Sequence, residues 1–344
     1  MLGIVKSMPS ILDFPNRNEL HVYRTVAILV FCVVCGSHGF CQSNFSDPDA
    51  ASTIQTFLIN NSCLKQFDVL VRSESINDKK DTGFCKETEF CRIIQDIPGE
   101  KFLFLRKADR TTVQENAKEV LEVRFFAARY VNGRLEVRST LEDHSGRSVS
   151  FAEACKSVEL PDVRLTGIAG YPTPFGMKGY DFDLHLVSVN DPLNNYQSGG
   201  AKGSSLHVFQ RGKVELSNMT IQNHWVIDSK RIVPVTFSQK FLIGEGANLQ
   251  TIPHRIESIA WTDHDDLMVV ESIDQTRRVS ERKKNSEGKK IQSNFYQETF
   301  YDFHWFAVNK LVFDEKIVSA NLQSFADWMH LVDPEKTQAF ESKP

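Results

Sequence analysis

The stretch Glu119-Val-Leu-Glu-Val-Arg-Phe-Phe-Ala-Ala-Arg-Tyr-Val-Asn-Gly-Arg-Leu-Glu-Val-Arg-Ser139 decides the fold class. Leu121, Val123 and Phe125 alternate with Glu122 and Arg124, and Leu135 and Val137 alternate with Arg134, Glu136 and Arg138. A period of two marks β-strands with one apolar face. Between the runs, Asn132-Gly133 accepts positive φ at both positions, as a two-residue type I′ turn requires. The expectation is an antiparallel hairpin, apolar on one face and charged on the other, in a sheet wet on one side.

Strand patterns extend outward on both sides. Residues 67–72, 92–97 and 101–106 read as strands, the last two joined by the turn Pro98-Gly99. Further strands are expected at 205–210, 214–219, 220–227, 231–239, 255–261, 267–273 and 293–309. Asp47-Pro48 suits a helix start, with Asp47 as N-cap and Pro48 at the first helical position. Ala50, Ile54, Phe57, Leu58 and Asn61 then recur at helical spacing. A final helix carries Leu322, Phe325, Trp328, Met329 and Val332. Residues 145–203 interrupt the strands with a short helix at 150–155, another at 182–187, and Pro- and Gly-rich loops. The expected class is α+β, with one antiparallel sheet and helices on a single face; two separate sandwiches are the alternative.

The chain has 344 residues, with 40 Lys and Arg against 44 Asp and Glu. This near-neutral balance gives no global pull toward nucleic acid. Residues 25–35 are uncharged and follow Arg24. Such a run is the apolar core of an export signal and falls short of the roughly 20 residues of a comfortable span. Two readings stand: a signal over 1–41, cleaved after Gly39 or Cys41, or an anchor tethering the chain through 25–40. Either places the protein outside the cytoplasm, periplasmic or extracellular. A linker (42–46), one β-rich domain (47–335) holding the insertion 145–203, and a tail (336–344) complete the expected organisation. Removing the signal leaves Cys63, Cys85, Cys91 and Cys155. Four cysteines in an oxidising compartment allow three pairings. Cys85 and Cys91 would close a small loop and Cys63 and Cys155 a long one; free buried thiols are the alternative.

No G-x-S-x-G, H-E-x-x-H or P-loop pattern occurs. Gly244-Glu-Gly246 lacks the third glycine of a dinucleotide fingerprint, since Leu249 stands there. Asp263-His264-Asp265-Asp266 offers oxygen and imidazole ligands for a divalent cation. A metal-assisted hydrolase there would need His254 or His304 nearby; a polar hairpin turn is the plainer reading. Residues 277–290 carry Arg277, Arg278, Arg282, Lys283, Lys284, Lys289 and Lys290 against Glu281 and Glu287. Such a run engages an anionic membrane surface or simply faces water. His224-Trp225 and His304-Trp305 each put one residue on either face of a strand.

Phe300-Tyr-Asp-Phe-His-Trp-Phe-Ala-Val-Asn309 and Leu64-Lys-Gln-Phe-Asp-Val-Leu-Val71 carry a family resemblance, with 102–106 and 123–130 in support. The chain resembles uncharacterised exported bacterial proteins that are similar to the outer-membrane lipoprotein carrier (lipoprotein-sorting) family. The resemblance spans roughly residues 47–315. It implies a strongly curved antiparallel half-barrel with helices on its concave face and a cavity that receives acyl chains. It also implies a non-enzymatic carrier-like protein with no cofactor, whose partner is an apolar ligand or a lipidated protein and not nucleic acid. A membrane-tethered structural or interaction module of the cell envelope is the alternative. The insertion 145–203 is the expected lid, with Leu165, Ile168, Tyr171, Phe175, Met177 and Phe182 turned toward the ligand; the alternative is that these residues complete the core.

Overall fold

Pro48 opens helix α1 (Pro48–Asn61), where its fixed φ is helical and its missing N–H costs nothing. The computed structural model describes residues 48–77, 85–113, 119–140, 143–168, 195–214, 219–244, 249–284, 290–310 and 332. The expected cap Asp47, most of the final helix, and the expected helix at 182–187 lie outside them. The stripe read from sequence is the buried one: Ala50, Ile54, Phe57 and Leu58 are all enclosed. Phe57 meets Trp261 edge-on, with ring centroids 5.7 Å apart.

Thirteen described strands follow: β1 (Gln66–Asn77), β2 (Cys85–Asp96), β3 (Lys101–Val113), β4 (Glu119–Val131), β5 (Arg134–Ser139), β6 (Asp143–Ser148), β7 (Tyr196–Lys202), β8 (Ser205–Val214), β9 (Met219–Asp228), β10 (Val233–Ile243), β11 (Gln250–His264), β12 (Leu267–Lys284) and β13 (Lys290–Val308). They form one open sheet in the order β6-β5-β4-β3-β2-β1-β13-β12-β11-β10-β9-β8-β7, with every neighbour antiparallel. The two expected blocks are therefore one sheet, joined where β1 pairs with β13.

α1 and helix α2 (Phe151–Ser157) pack on the same face of this sheet, hereafter the helix face. Ser150 caps α2 by accepting from the Glu153 N–H. Phe151 then lies against Phe102 and Tyr130. A 3-10 turn (Val163–Leu165) follows. Gly167 beyond it has φ +78°, and a Cβ there would meet Ile259 and Pro234 at 2.8 Å. Only glycine lets the backbone come so close, and its carbonyl accepts from Trp225 Nε1 at 3.0 Å. Two more indoles serve the ladder where its register slips. Trp261 Nε1 donates to the Pro234 carbonyl beside the shift between Pro234 and Thr236. Trp305 Nε1 donates to Val270 beside the shift at Ala260/Trp261. A bulge strips a ladder partner from the backbone, and these tryptophans replace it.

The Asn132-Gly133 turn forms as expected, with φ of 52° and 78°. The facing of its strands differs from expectation. Leu135 pairs with Tyr130 and Val137 with Ala128, so they share the helix face with Phe126, Arg124 and Glu122. Leu121, Val123 and Phe125 point the other way, and Leu121 is exposed. The expected insertion 145–203 is also less irregular than read, because β6 runs into its start and β7 falls within it. Both are edge strands rich in polar and glycine residues, a composition that discourages further pairing. Within the strand expected at 214–219, Val214 ends β8 and pairs with Met219, which opens β9; residues 215–218 lie outside the described residues.

The small-loop pairing of Cys85 with Cys91 fails on geometry. Cys63, Cys91 and Cys155 are free thiols. Cys85 and Cys91 lie six residues apart on β2, about 20 Å of extended chain, whereas a disulfide needs Cα atoms within about 7 Å. Burial pushes the Cys91 and Cys155 thiols well above the usual thiol range.

Candidate functional site

Along β11, β12 and β13 the helix face changes character at one level. Nearest the helices stand Trp261 and Ile259 on β11, Val270 and Ile273 on β12, and Phe303 and Tyr301 on β13, all buried. One step further, Glu257, Gln275 and Thr299 form a cross-strand row. The next row runs Gln210, Asn223, Gln239, Arg255, Arg277 and Gln297 across six strands. Opposed residues on antiparallel strands present their side chains to one face, so both rows extend the apolar surface without a break.

Arg255, Glu257, Gln275 and Thr299 are buried, and the other members of the two rows are half-buried. Glu257 is 1% exposed and Gln275 4%. Gln275 Nε2 donates to Glu257 Oε1 at 2.7 Å, and Arg255 Nε lies 3.0 Å from the same oxygen. Burial raises the Glu257 carboxyl above its ordinary range, against the opposing pull of Arg255 and Gln275. Arg277 Nη2 donates to Gln297 Oε1 at 2.9 Å. Gln239 donates to Asn223 at 3.0 Å, and Asn223 to Gln210 at 3.1 Å. The Arg255 guanidinium stacks 4.5 Å from the centre of the Phe237 ring. Ser75 and Thr299 bring their hydroxyls to 2.9 Å and carry the polar band onto β1. On β2 to β4 the same face holds Glu87, Glu89, Arg106, Arg110, Glu122 and Arg124. Arg106 clasps Glu89 through two hydrogen bonds of 2.8 and 2.7 Å.

Sequence reasoning missed this ladder, apart from the charge of Arg277. A phase argument from Trp261 would have found half of it. Arg255, Glu257, Ile259 and Trp261 alternate with Ile256, Ser258 and Ala260, so a buried tryptophan brings the charges with it.

The residues read as a metal cluster form a hairpin turn. His264 pairs with Leu267, and Asp265 and Asp266 take φ of 52° and 67°. Asp263 accepts from the Asp266 N–H at 3.2 Å, and Asp265 meets Lys310 at 2.9 Å. Among the described residues no group of three or more His, Cys, Asp or Glu could hold a metal ion. Leu165 and Ile168 are buried in the main core; Tyr171, Phe175, Met177 and Phe182 lie outside the described residues. In the basic stretch, Arg277 and Arg278 fall on opposite faces of β12, Arg282, Lys283 and Lys284 end that strand, Lys290 begins β13, and Lys289 is outside the description. No described helix is long and apolar enough to cross a membrane.

The opposite face carries a second set of groups. His207 Nδ1 and His224 Nε2 lie 3.0 Å apart, and Phe209 stacks on His224. Burial, then His207, Lys240 and Lys202, lower the His224 imidazole below its ordinary range.

No family model and no curated protein matches the chain. Among solved structures it is similar to a LolA superfamily protein from Nitrosomonas europaea, at 8% identity and a TM-score of 0.34, over 77% of this chain and 96% of that one. It is also similar to a porin-like protein from Bacteroides uniformis, at 8% identity and a TM-score of 0.24, over 70% and 97%.

Proposed function

We propose that the chain is an exported, non-enzymatic binding protein for an amphiphilic, lipid-like ligand. The observation that carries this reading is the single face of β11 to β13 on which a buried aromatic surface passes directly into a buried polar ladder. An acyl chain on the aromatic part gains about 0.8 kcal/mol per enclosed CH₂. The ladder supplies hydrogen bonds to a head group that would otherwise lose its water.

In this reading the sheet curves into a half-barrel around the helices. The register shifts along β1, β10 and β11 favour it, since bulges bend and twist a strand. So does the reach of α1. It leads directly into β1 yet touches β12 and the edge strand β7, although β1 and β7 lie about 34 Å apart in a flat sheet. Tyr171, Phe175, Met177 and Phe182 remain the ligand-facing residues of segment 145–203, while Leu165 and Ile168 belong to the core. The basic end of the β12–β13 hairpin meets an anionic membrane surface.

Native mass spectrometry of the purified protein, with lipid extraction in parallel, tests the reading. A co-purified lipid, displaced by dodecanoate, is expected. A ligand-free protein that also fails to take up any added acyl chain would overturn it.

A further inference from the structure

On the face turned away from the helices, strands β7 to β10 gather basic groups. Trp225 and Asn223 face the helices, so Gln222, His224 and Val226 face away. Phe209 is the cross-strand partner of His224 and His207 that of Val226, while Arg211 and Lys240 flank Gln222 from either side. Lys202 opposes Ser205, one step along β8 from His207. Among the described residues, none of Lys202, Arg211 and Lys240 makes an ion pair. The four strands hold one carboxylate, Asp228, and it is engaged by the N–H groups of Lys230 and Arg231. The charged groups that act on His224 are His207, Lys240 and Lys202, all basic. His207 Nδ1 and His224 Nε2, 3.0 Å apart, hold one proton between them. Two neutral imidazoles carry two N–H protons in all. The second therefore sits on His207 Nε2 or His224 Nδ1, and the other of these outward nitrogens is bare.

We propose that Arg211, Lys240 and the His207–His224 pair, with Lys202 at the rim, form a proton-coupled binding site for a phosphate group. One proton taken from water binds the bare outward nitrogen. Both outward nitrogens then donate, and the proton shared between the rings stays in place. The imidazolium adds its charge to those of Arg211, Lys240 and Lys202, and a phosphate of about −1.5 to −2 charge offsets their repulsion. Arg211 supplies the planar fork that pairs with phosphate oxygens, and the lysines supply point charges. The Gln222 amide lies between Arg211 and Lys240. The site is positioned in advance. Phe209 stacks on His224 at 4.2 Å with the planes 8° apart. Its other neighbour is Gly199, where a Cβ would lie 2.4 Å from the Phe209 ring. The site lies on the opposite face from the polar ladder and stands independently of the lipid reading.

Imidazole NMR of the full chain against pH, in chloride and in inorganic phosphate or sulfate at matched ionic strength, tests the site. Sulfate does not titrate in this range, so a shift in it reports the protein's own proton. The bound anion should raise the His224 midpoint by about one unit, a tenfold coupling. His254, another imidazole lowered by neighbouring cations after burial, should stay where it is. By linkage, the anion should bind about tenfold more tightly below the His224 midpoint than above it. Lys240→Gln should weaken the anion, and His224→Gln should remove the dependence of its binding on pH. Phosphatidylcholine vesicles with and without phosphatidic acid separate the sources. Retention on phosphatidic acid alone, lost in Lys240→Gln, assigns a lipid phosphate; a His224 shift in inorganic phosphate without retention assigns a soluble one. If neither anion nor vesicle moves His224, or if His254 moves equally, the site is wrong. The wild-type titration decides this even if a variant fails to fold.

Discussion

Arg92 grips Asp68 through two hydrogen bonds, Nε to Oδ1 at 2.9 Å and Nη2 to Oδ2 at 2.8 Å, with each side chain only 7% exposed. The pair sits on the sheet face away from α1, beside the buried Leu70, Ile94 and Leu103, and Arg92 also stacks on Phe306. Removing one partner strands a buried charge, which costs about 3–5 kcal/mol. Asp68→Asn should therefore shift the urea midpoint sharply downward. The double variant Asp68→Leu with Arg92→Leu should lose less than Asp68→Asn alone. Equal losses would mean that packing, not charge, holds this site.

Glu257 should make stability fall as pH rises. Its folded pKa is raised by burial, so between the unfolded value of about 4.3 and the higher folded value the native state binds more protons. Stability decreases across that window and is level above it. Glu257→Gln should flatten this slope. Chemical denaturation at a series of pH values from about 4 upward measures it, and an unchanged slope would count against the buried carboxyl.

His224 acts in the opposite sense. Its folded pKa is lowered by burial and by His207, Lys240 and Lys202, so the unfolded chain takes up the proton first as pH falls through about 6.5. Stability is full above that value and is lost down to the folded pKa. NMR titration should place the His224 midpoint below that of a free imidazole, and His207→Ala should raise it. His254, also lowered, adds to the same acid-side loss.

Gly133 has open space around its Cβ position but a φ of +78°. Gly133→Val should therefore destabilise through backbone strain alone, by roughly 1–2 kcal/mol or more for a β-branched residue. Ligand affinity should not change. A thermal melt that matches the wild type would exclude the turn.

Phe57 is fully enclosed between α1 and Trp261. Phe57→Ala should cost about 3–5 kcal/mol. A loss under about 1 kcal/mol, typical of a surface position, would detach α1 from the sheet.

The strands and turns were legible because their signals are local. Asn132-Gly133 needs two residues to be read, and the stripe of α1 needs four. Facing was not legible in β4, where the helix face carries Glu122 and Arg124 and then Phe126, Ala128 and Tyr130. The run Phe125-Phe126-Ala127-Ala128 hides this change of phase, and both faces are apolar at that level. The ladder was hidden for a different reason. Arg255 and Arg277 meet only through the pairing of β11 with β12, and the register shift at Ala260/Trp261 breaks simple counting from the hairpin turn. The Gly- and polar-rich edges β6 and β7 read as loops because edge strands avoid the residues that announce a strand.

The strand order has a kinetic consequence. Every neighbouring pair in the sheet is consecutive in the chain except β1 with β13, which unites Phe67 with Val308. Hairpins of the first kind zip up from nearby turns, so contact order stays low within residues 66–148 and within residues 196–308. The remaining seam demands the closure of a very long loop, whose entropic cost grows only slowly with length but whose search is slow. Refolding should therefore show early protection of hairpin amides in both segments and late protection of the amides shared by β1 and β13. That seam is central to the sheet, so the last strands to meet are each flanked by a strand already paired.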